Sequence, residues 1–205
     1  MTDESRTTRD RLMDAAQELI LQHGFSATTV AMIVEHAGVT KGSFFYYFDT
    51  KTDLAHALIE RYSKWELGLL EETMGRAEKL SRDPRQQLLI FIGLIIEGFG
   101  PDGHPPEGCL FASYCYEVDL FDEQTLEVSR QTMIVWREKL REKFEEIVET
   151  HPPRLEIDLD SLADMVMTTF EGGFVVARVM REPAVLREQF VHLRNYFELL
   201  FAVGD

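Results

Sequence analysis

The chain has 205 residues, enough for one domain or two small ones with a buried core. Its 45% hydrophobic and 28% charged residues make an ordinary globular composition, and a net charge of -15 argues against general affinity for polyanions. The acidity is uneven: residues 1–64 hold 7 basic and 9 acidic side chains and residues 65–205 hold 14 and 27, so any nucleic-acid surface has to lie near the N-terminus. Cys109 and Cys115 are too few for the disulfide framework of a secreted domain. The longest apolar run, Leu88 to Ile96, is nine residues interrupted by Gly93, far short of a membrane span, and Met1 to Asp14 lacks the apolar stretch of a signal peptide. These features predict a cytoplasmic protein with no membrane partner.

In chain order, Leu12, Ala15, Ala16, Leu19 and Ile20 form one stripe of a first helix over Thr7 to Gln22, which Gly24 stops. Val30, Ile33, Val34 and Ala37 repeat the stripe over a second helix opened by Thr28 or Thr29 and closed by Gly38, and Thr40 caps a short third helix through Phe48. Thr50 and Asp53 read as a capping box for a long fourth helix that carries Leu54, Leu58, Tyr62, Trp65 and Leu69. Pro84 fits the first turn of a fifth helix, apolar nearly all round from Leu88 to Ile96. Gly98 to Pro106 reads as a loop, followed by helices over Glu107 to Val118 and Glu123 to Glu149, the second ended by His151-Pro152-Pro153. Two more helices, Asp160 to Arg181 and Pro183 to Ala202, close an all-α chain without strand pattern or internal repeat.

Ala37-Gly38-Val39 joins the second and third helices as the turn of a helix-turn-helix, in which Gly38 allows the sharp turn and Thr40 starts a helix whose N-terminal residues project outward. Lys41, Gly42 and Ser43 then stand where a recognition helix meets base edges, a cation and a hydroxyl flanking a residue with no side chain to block approach. Phe44 and Phe48 are expected to face inward, while Tyr46, Tyr47 and Lys51 reach phosphates and Thr29 adds a hydroxyl and backbone amides. Three aromatic residues in a row, Phe45 to Tyr47, cannot all enter one core from a single short helix.

Phe25-Ser26-Ala27-Thr28-Thr29-Val30, Ile33, the run Ala37 to Phe48, Lys51 and Leu54 resemble the N-terminal signature of TetR-family transcriptional repressors. The resemblance implies a homodimer of nine or so helices. Residues 1–50 would be the DNA-binding domain with Thr40 in its recognition helix, and residues 51–205 would hold a linker helix plus a ligand-binding and dimerisation bundle. Phe45 departs from the Tyr common at its place in the family, leaving an apolar contact, for instance with a thymine methyl. In the body, Glu107-Gly108-Cys109-Leu110-Phe111, Glu171-Gly172-Gly173-Phe174 and Ala177-Arg178 are similar to a branch of that family that includes NemR, whose cysteine at this place senses electrophiles.

Trp65, Phe91, Phe99, Phe111, Tyr114, Trp136 and Phe170 are the candidates to line an apolar inducer pocket. Cys109 is a candidate redox sensor at a helix N-terminus, where unpaired amides stabilise a thiolate; six residues of helix keep Cys115 too far from it for a disulfide. Leu162, Val166, Thr169, Gly173 and Ala177 form one late stripe, and Leu186, Phe190, Leu193, Phe197 and Leu200 another. With Gly172-Gly173 favouring close helix approach, they predict a four-helix dimer interface. The six histidines lack metal-site spacing, and no catalytic grouping or cofactor fingerprint appears. The expectation is a non-enzymatic, homodimeric regulator that binds a palindromic double-stranded operator and releases it when a small molecule or electrophile in the body moves the fourth helix. The alternative is a helical small-molecule-binding protein or enzyme with a vestigial head.

Overall fold

The structure, a computed structural model, describes residues 7–99 and 108–202, and no β-strand occurs among them. Nine α-helices are present among these residues: α1 Thr8–His23, α2 Val30–His36, α3 Lys41–Tyr47, α4 Lys51–Leu80, α5 Pro84–Gly98, α6 Leu110–Cys115, α7 Glu123–Thr150, α8 Leu159–Met180 and α9 Ala184–Leu200. The chain forms two compact units, one from residues 1–64 with 107–130 and the other from 65–106 with 131–205. Among the described residues no helix is long and apolar enough to cross a membrane.

Local hydrogen bonding sets the starts of the first four helices. The Asp10 amide donates to the Thr7 hydroxyl at 3.1 Å and the Thr7 amide donates back to the Asp10 carboxylate. Thr29 and Thr40 accept from Met32 and Ser43 amides at 3.2 and 3.1 Å, and Thr50 with Asp53 completes the predicted box at α4. Each such cap is worth about 1 kcal/mol. Gly24 ends α1 at φ 85, a conformation that L side chains rarely adopt.

The first unit is built on α1, which packs on α2, α3 and α6. Leu12, Ala16 and Ile20 of α1, Ile33 of α2, Phe44 of α3, and Leu54 and Leu58 of α4 are sealed from solvent. Tyr114 of α6 is equally buried; its ring stacks on Phe121 at 4.2 Å and its hydroxyl donates to the Ala55 carbonyl. The helix predicted over Glu107 to Val118 is shorter than expected: α6 spans six residues and a single 3-10 turn, Val118–Leu120, follows. Most of the loop expected over Gly98 to Pro106 lies outside the described residues.

In the second unit α9 packs on both α8 and α5. The stripes expected to meet a partner chain instead fill this chain's own core. Leu162, Val166, Gly173 and Ala177 of α8 and Leu186, Phe190, Leu193, Phe197 and Leu200 of α9 are buried, and Thr169 is half-buried with its hydroxyl donating to the Met165 carbonyl. Gly173 does admit a close helix, but that helix is α9 of the same chain: a Cβ there would sit 2.4 Å from Leu186 Cδ1. The apolar surface left open on α8 lies on its other side, at Val175, Val176, Val179 and Met180.

Candidate nucleic-acid interface

The turn between α2 and α3 depends on Gly38, at φ 62, and on Arg11 of α1, whose guanidinium donates to the carbonyls of Ala37 and Gly38 at 2.6 and 3.2 Å. Phe44 and Phe48 anchor α3 from below, with ring centroids 5.8 Å apart, as their four-residue spacing predicts. Anchoring one side of a seven-residue helix leaves its other side to solvent. Phe45 is 48% exposed, Tyr46 81% and Tyr47 39%, a surface that burial does not explain.

Lys41 and Gly42 are exposed at the start of α3, and the Lys41 ammonium lies 5.8 Å from the centroid of the Phe45 ring, one turn on. The hydroxyls of Thr40 and Ser43 share a hydrogen bond of 2.8 Å, which uses one of their two hydrogens and leaves the other for an outside acceptor. Tyr46 and Tyr47 meet edge to face at 4.8 Å, which holds both phenols at the surface. Thr29 stands exposed at the cap of α2. The structure therefore gathers eight of the nine expected DNA-contacting residues onto the surfaces of α3 and the α2 start.

Lys51 is the exception. Its ammonium donates to the carbonyls of Phe25 and Thr28, each at 2.8 Å, and stands 4.0 Å over the Phe25 ring. These contacts tie down the turn between α1 and α2. Burial pushes the Lys51 pKa down, and the charge of Glu117 only partly opposes this. Glu117, which sequence reasoning missed, holds the same turn from the other side: it accepts from the amides of Phe25 at 2.7 Å and Ser26 at 2.9 Å and from the Ser26 hydroxyl. Burial would raise its pKa, but these hydrogen bonds and the Lys51 charge outweigh burial and hold it below the ordinary carboxylate value. No local pattern marks Glu117, because its partners lie about 90 residues away in sequence.

The aromatic residues expected to line an inducer pocket fall into both units. Phe111 and Tyr114 belong to the first, where Phe111 packs edge to face on Tyr62. In the second, Phe91 lies 6.4 Å from Trp136, and Phe99 and Phe170 cluster with Phe190. Trp65 is half exposed, whereas Phe91 and Tyr114 are closed off completely. Cys109 is the N-cap of α6 as predicted, but only 4% of it is exposed, and a six-residue helix aligns few peptide dipoles to favour a thiolate. Cys115 is the exposed thiol of the two, and neither is in a disulfide.

Residues 12–58 match the family model described as "Bacterial regulatory proteins, tetR family", and residues 84–193 match "Tetracyclin repressor-like, C-terminal domain". Among curated relatives, the transcriptional regulator AcuR of Cereibacter sphaeroides is 27% identical over 172 residues, covering 84% of this chain and 77% of that one. The HTH-type transcriptional repressor DhaR of a Mycobacterium species is 25% identical over 187 residues, covering 89% and 88%. Among solved structures, a TetR-family transcriptional regulator from Agrobacterium tumefaciens superposes with a TM-score of 0.77 at 24% identity, covering 95% of this chain and 98% of that one. The reduced form of E. coli NemR superposes with a TM-score of 0.70 at 23% identity, covering 92% and 96%.

Proposed function

The chain belongs to the TetR family of transcriptional regulators and carries a DNA-binding head, and from that premise we propose that it is a cytoplasmic repressor that binds a palindromic operator as a homodimer and releases it on meeting an inducer. The observation that carries this reading is the surface of α3: Lys41, Phe45, Tyr46 and Tyr47 stand exposed on a helix whose opposite side is anchored by Phe44 and whose preceding turn is stapled by Arg11. Lys41 and Ser43 read base edges, Phe45 supplies apolar contact, and Tyr46, Tyr47 and Thr29 hold the backbone. With the head not net basic, specific contacts carry much of the affinity and non-specific binding is weak. In this reading residues 1–50 bind DNA and residues 51–205 link, sense and dimerise.

Dimerisation uses the open side of α8 and α9. Val175, Val176 and Val179 share one side of α8, and Tyr196 and Leu199 are exposed on α9. The inducer is a small apolar or electrophilic molecule taken up in the second unit, with Trp136 and Phe170, both half-buried at the edges of aromatic clusters, as the residues that touch it. Its binding displaces α4, which runs from one unit into the other, and so separates the two heads from successive major grooves.

Selection of duplex sites from a random library by the full chain tests the core of this reading. The expected product is an inverted repeat bound about tenfold or more weakly by Lys41→Ala, with altered preference at one position in each half-site. Recovery of no enriched site, or equal binding by Lys41→Ala, would overturn it. Light scattering of Val179→Asp is expected to show a monomer where the wild type is a dimer.

A further inference from the structure

The segment Gly24–Thr28 has neither helix nor strand to organise it, yet its backbone polar groups are bound on both sides. Glu117 takes the amides of Phe25 and Ser26 together with the Ser26 hydroxyl. Lys51 takes the carbonyls of Phe25 and Thr28, and the Thr28 hydroxyl donates to the Gly24 carbonyl at 2.8 Å. The Phe25 ring is held between the Lys51 ammonium at 4.0 Å and the Phe121 ring at 4.6 Å, with Tyr114 at 6.1 Å. Gly24 leaves room for this arrangement, since a Cβ there would lie 3.0 Å from Glu117 Oε1.

The next residue is Thr29, the exposed cap of α2. A backbone fixed at Thr28 fixes where Thr29 starts the helix, and α2 in turn packs on α3. The turn therefore positions the head, and it is gripped from a part of the chain far from the head in sequence: Glu117 follows α6 directly. A displacement of that segment would be felt at the α2 start through three hydrogen bonds, because a charged acceptor with several donors is a stiff and strongly favoured contact.

We propose that Glu117 is a positioning residue for DNA binding, acting through a clamp in which it and Lys51 hold the Gly24–Thr28 turn by its amides and its carbonyls and so set the placement of Thr29 and α2 on the DNA backbone. This rests on the DNA-binding reading above. It assigns Lys51 to the clamp rather than to phosphate.

The test measures operator affinity of the full chain against salt concentration for the wild type, Glu117→Gln, Lys51→Met and the double variant, on a site selected from random duplex DNA. Amide exchange at Phe25 and Ser26 is followed in the same proteins. Each single variant is expected to bind about tenfold more weakly, and the double variant by clearly less than the product of the two losses, since both dismantle one clamp. The slope of log affinity against log salt is expected to stay at the wild-type value throughout, and both amides to exchange faster while unfolding remains cooperative. A slope shallower by about one phosphate in Lys51→Met, with Glu117→Gln binding like the wild type, would make Lys51 a phosphate ligand and overturn the proposal. Unchanged exchange at Phe25 and Ser26 in Glu117→Gln would overturn it as well. Should Glu117→Gln fail to fold, Ser26→Ala, which removes one exposed hydroxyl, carries the comparison with a smaller expected loss of about threefold. A wild type that selects no DNA defeats the function reading itself, which is distinct from a wild type that binds and variants that match it.

Discussion

Two lysines, one in each unit, show opposite uses of a partly buried charge. Lys143 of α7, almost sealed from water, donates to Glu146 at 2.5 Å, Gln87 at 2.8 Å and Glu78 at 3.0 Å. Burial would lower its pKa, but hydrogen bonds and charges from Glu146 and Glu78 prevail and the pKa is raised. Lys51 meets neutral partners, two carbonyls and an aromatic face, with Glu117 as the opposing charge, and burial prevails. A lysine paired with two carboxylates and an amide oxygen pins helices together. One held against carbonyls at the expense of its own solvation fixes a backbone conformation, and here that backbone leads into the DNA-reading helices.

Substitutions can separate the two roles. The largest effect is expected from Lys143→Met, which leaves the buried Gln87 carbonyl oxygen without its donor. Glu78 and Glu146 are about half exposed and can rehydrate, so the loss should be about 2 kcal/mol of stability, read from urea unfolding, with operator affinity unchanged. A loss comparable to that of an exposed ion pair, below about 0.5 kcal/mol, would erase the contrast.

Gly24→Ala is expected next, at about 1–2 kcal/mol, because it imposes a positive φ on an L residue and crowds the Glu117 carboxylate. Unlike Lys143→Met it should weaken operator binding as well, and a stability loss with full affinity would detach the clamp from DNA binding. Arg11→Met removes the two hydrogen bonds at the α2–α3 turn and should destabilise the first unit by about 1 kcal/mol. Hydrogen exchange is expected to rise at Val39 and in α3, leaving Phe25 and Ser26 protected, because this second staple comes from α1 and not from the segment after α6.

The smallest effects are those of pH, and they run in opposite directions. Glu117 has a lowered pKa in the folded chain, so its contribution is complete above its ordinary value of 4.5 and is lost as the pH falls below that through the folded value. Lys143 has a raised pKa, so its contribution is complete below 10.5 and is lost as the pH rises beyond that through the folded value. Amide exchange at Phe25 and Ser26 corrected for intrinsic rates is expected to increase on acidification below 4.5 in the wild type and to show no such step in Glu117→Gln. Thermal unfolding should respond to Lys143→Met less above pH 10.5 than at neutrality.

By itself the sequence determined what depends on neighbours a few residues apart. The Thr7, Thr29, Thr40 and Thr50 caps and the positive φ of Gly24 and Gly38 are local chemistry, so the early helices begin and end within a residue or two of where they were expected. The inward Phe44 and Phe48 and the outward Phe45 to Tyr47 followed from helical spacing alone. Tertiary structure decided what spacing leaves open. A helical period marks an apolar stripe but not what covers it, so spacing alone does not tell the buried Leu162, Val166 and Ala177 from a partner-facing stripe, nor mark Val175, Val176 and Val179 as the open side. Within the span Glu107 to Val118, Gly108 at φ 154 precedes α6, and after Cys115 the chain turns so that the Tyr114 ring stacks on Phe121. Lys51 and Glu117 show the limit most clearly: a charged side chain at a helix start or after one reads as solvent-facing, and only the fold, by bringing residues 25, 51 and 117 together, turned both of them inward onto one turn.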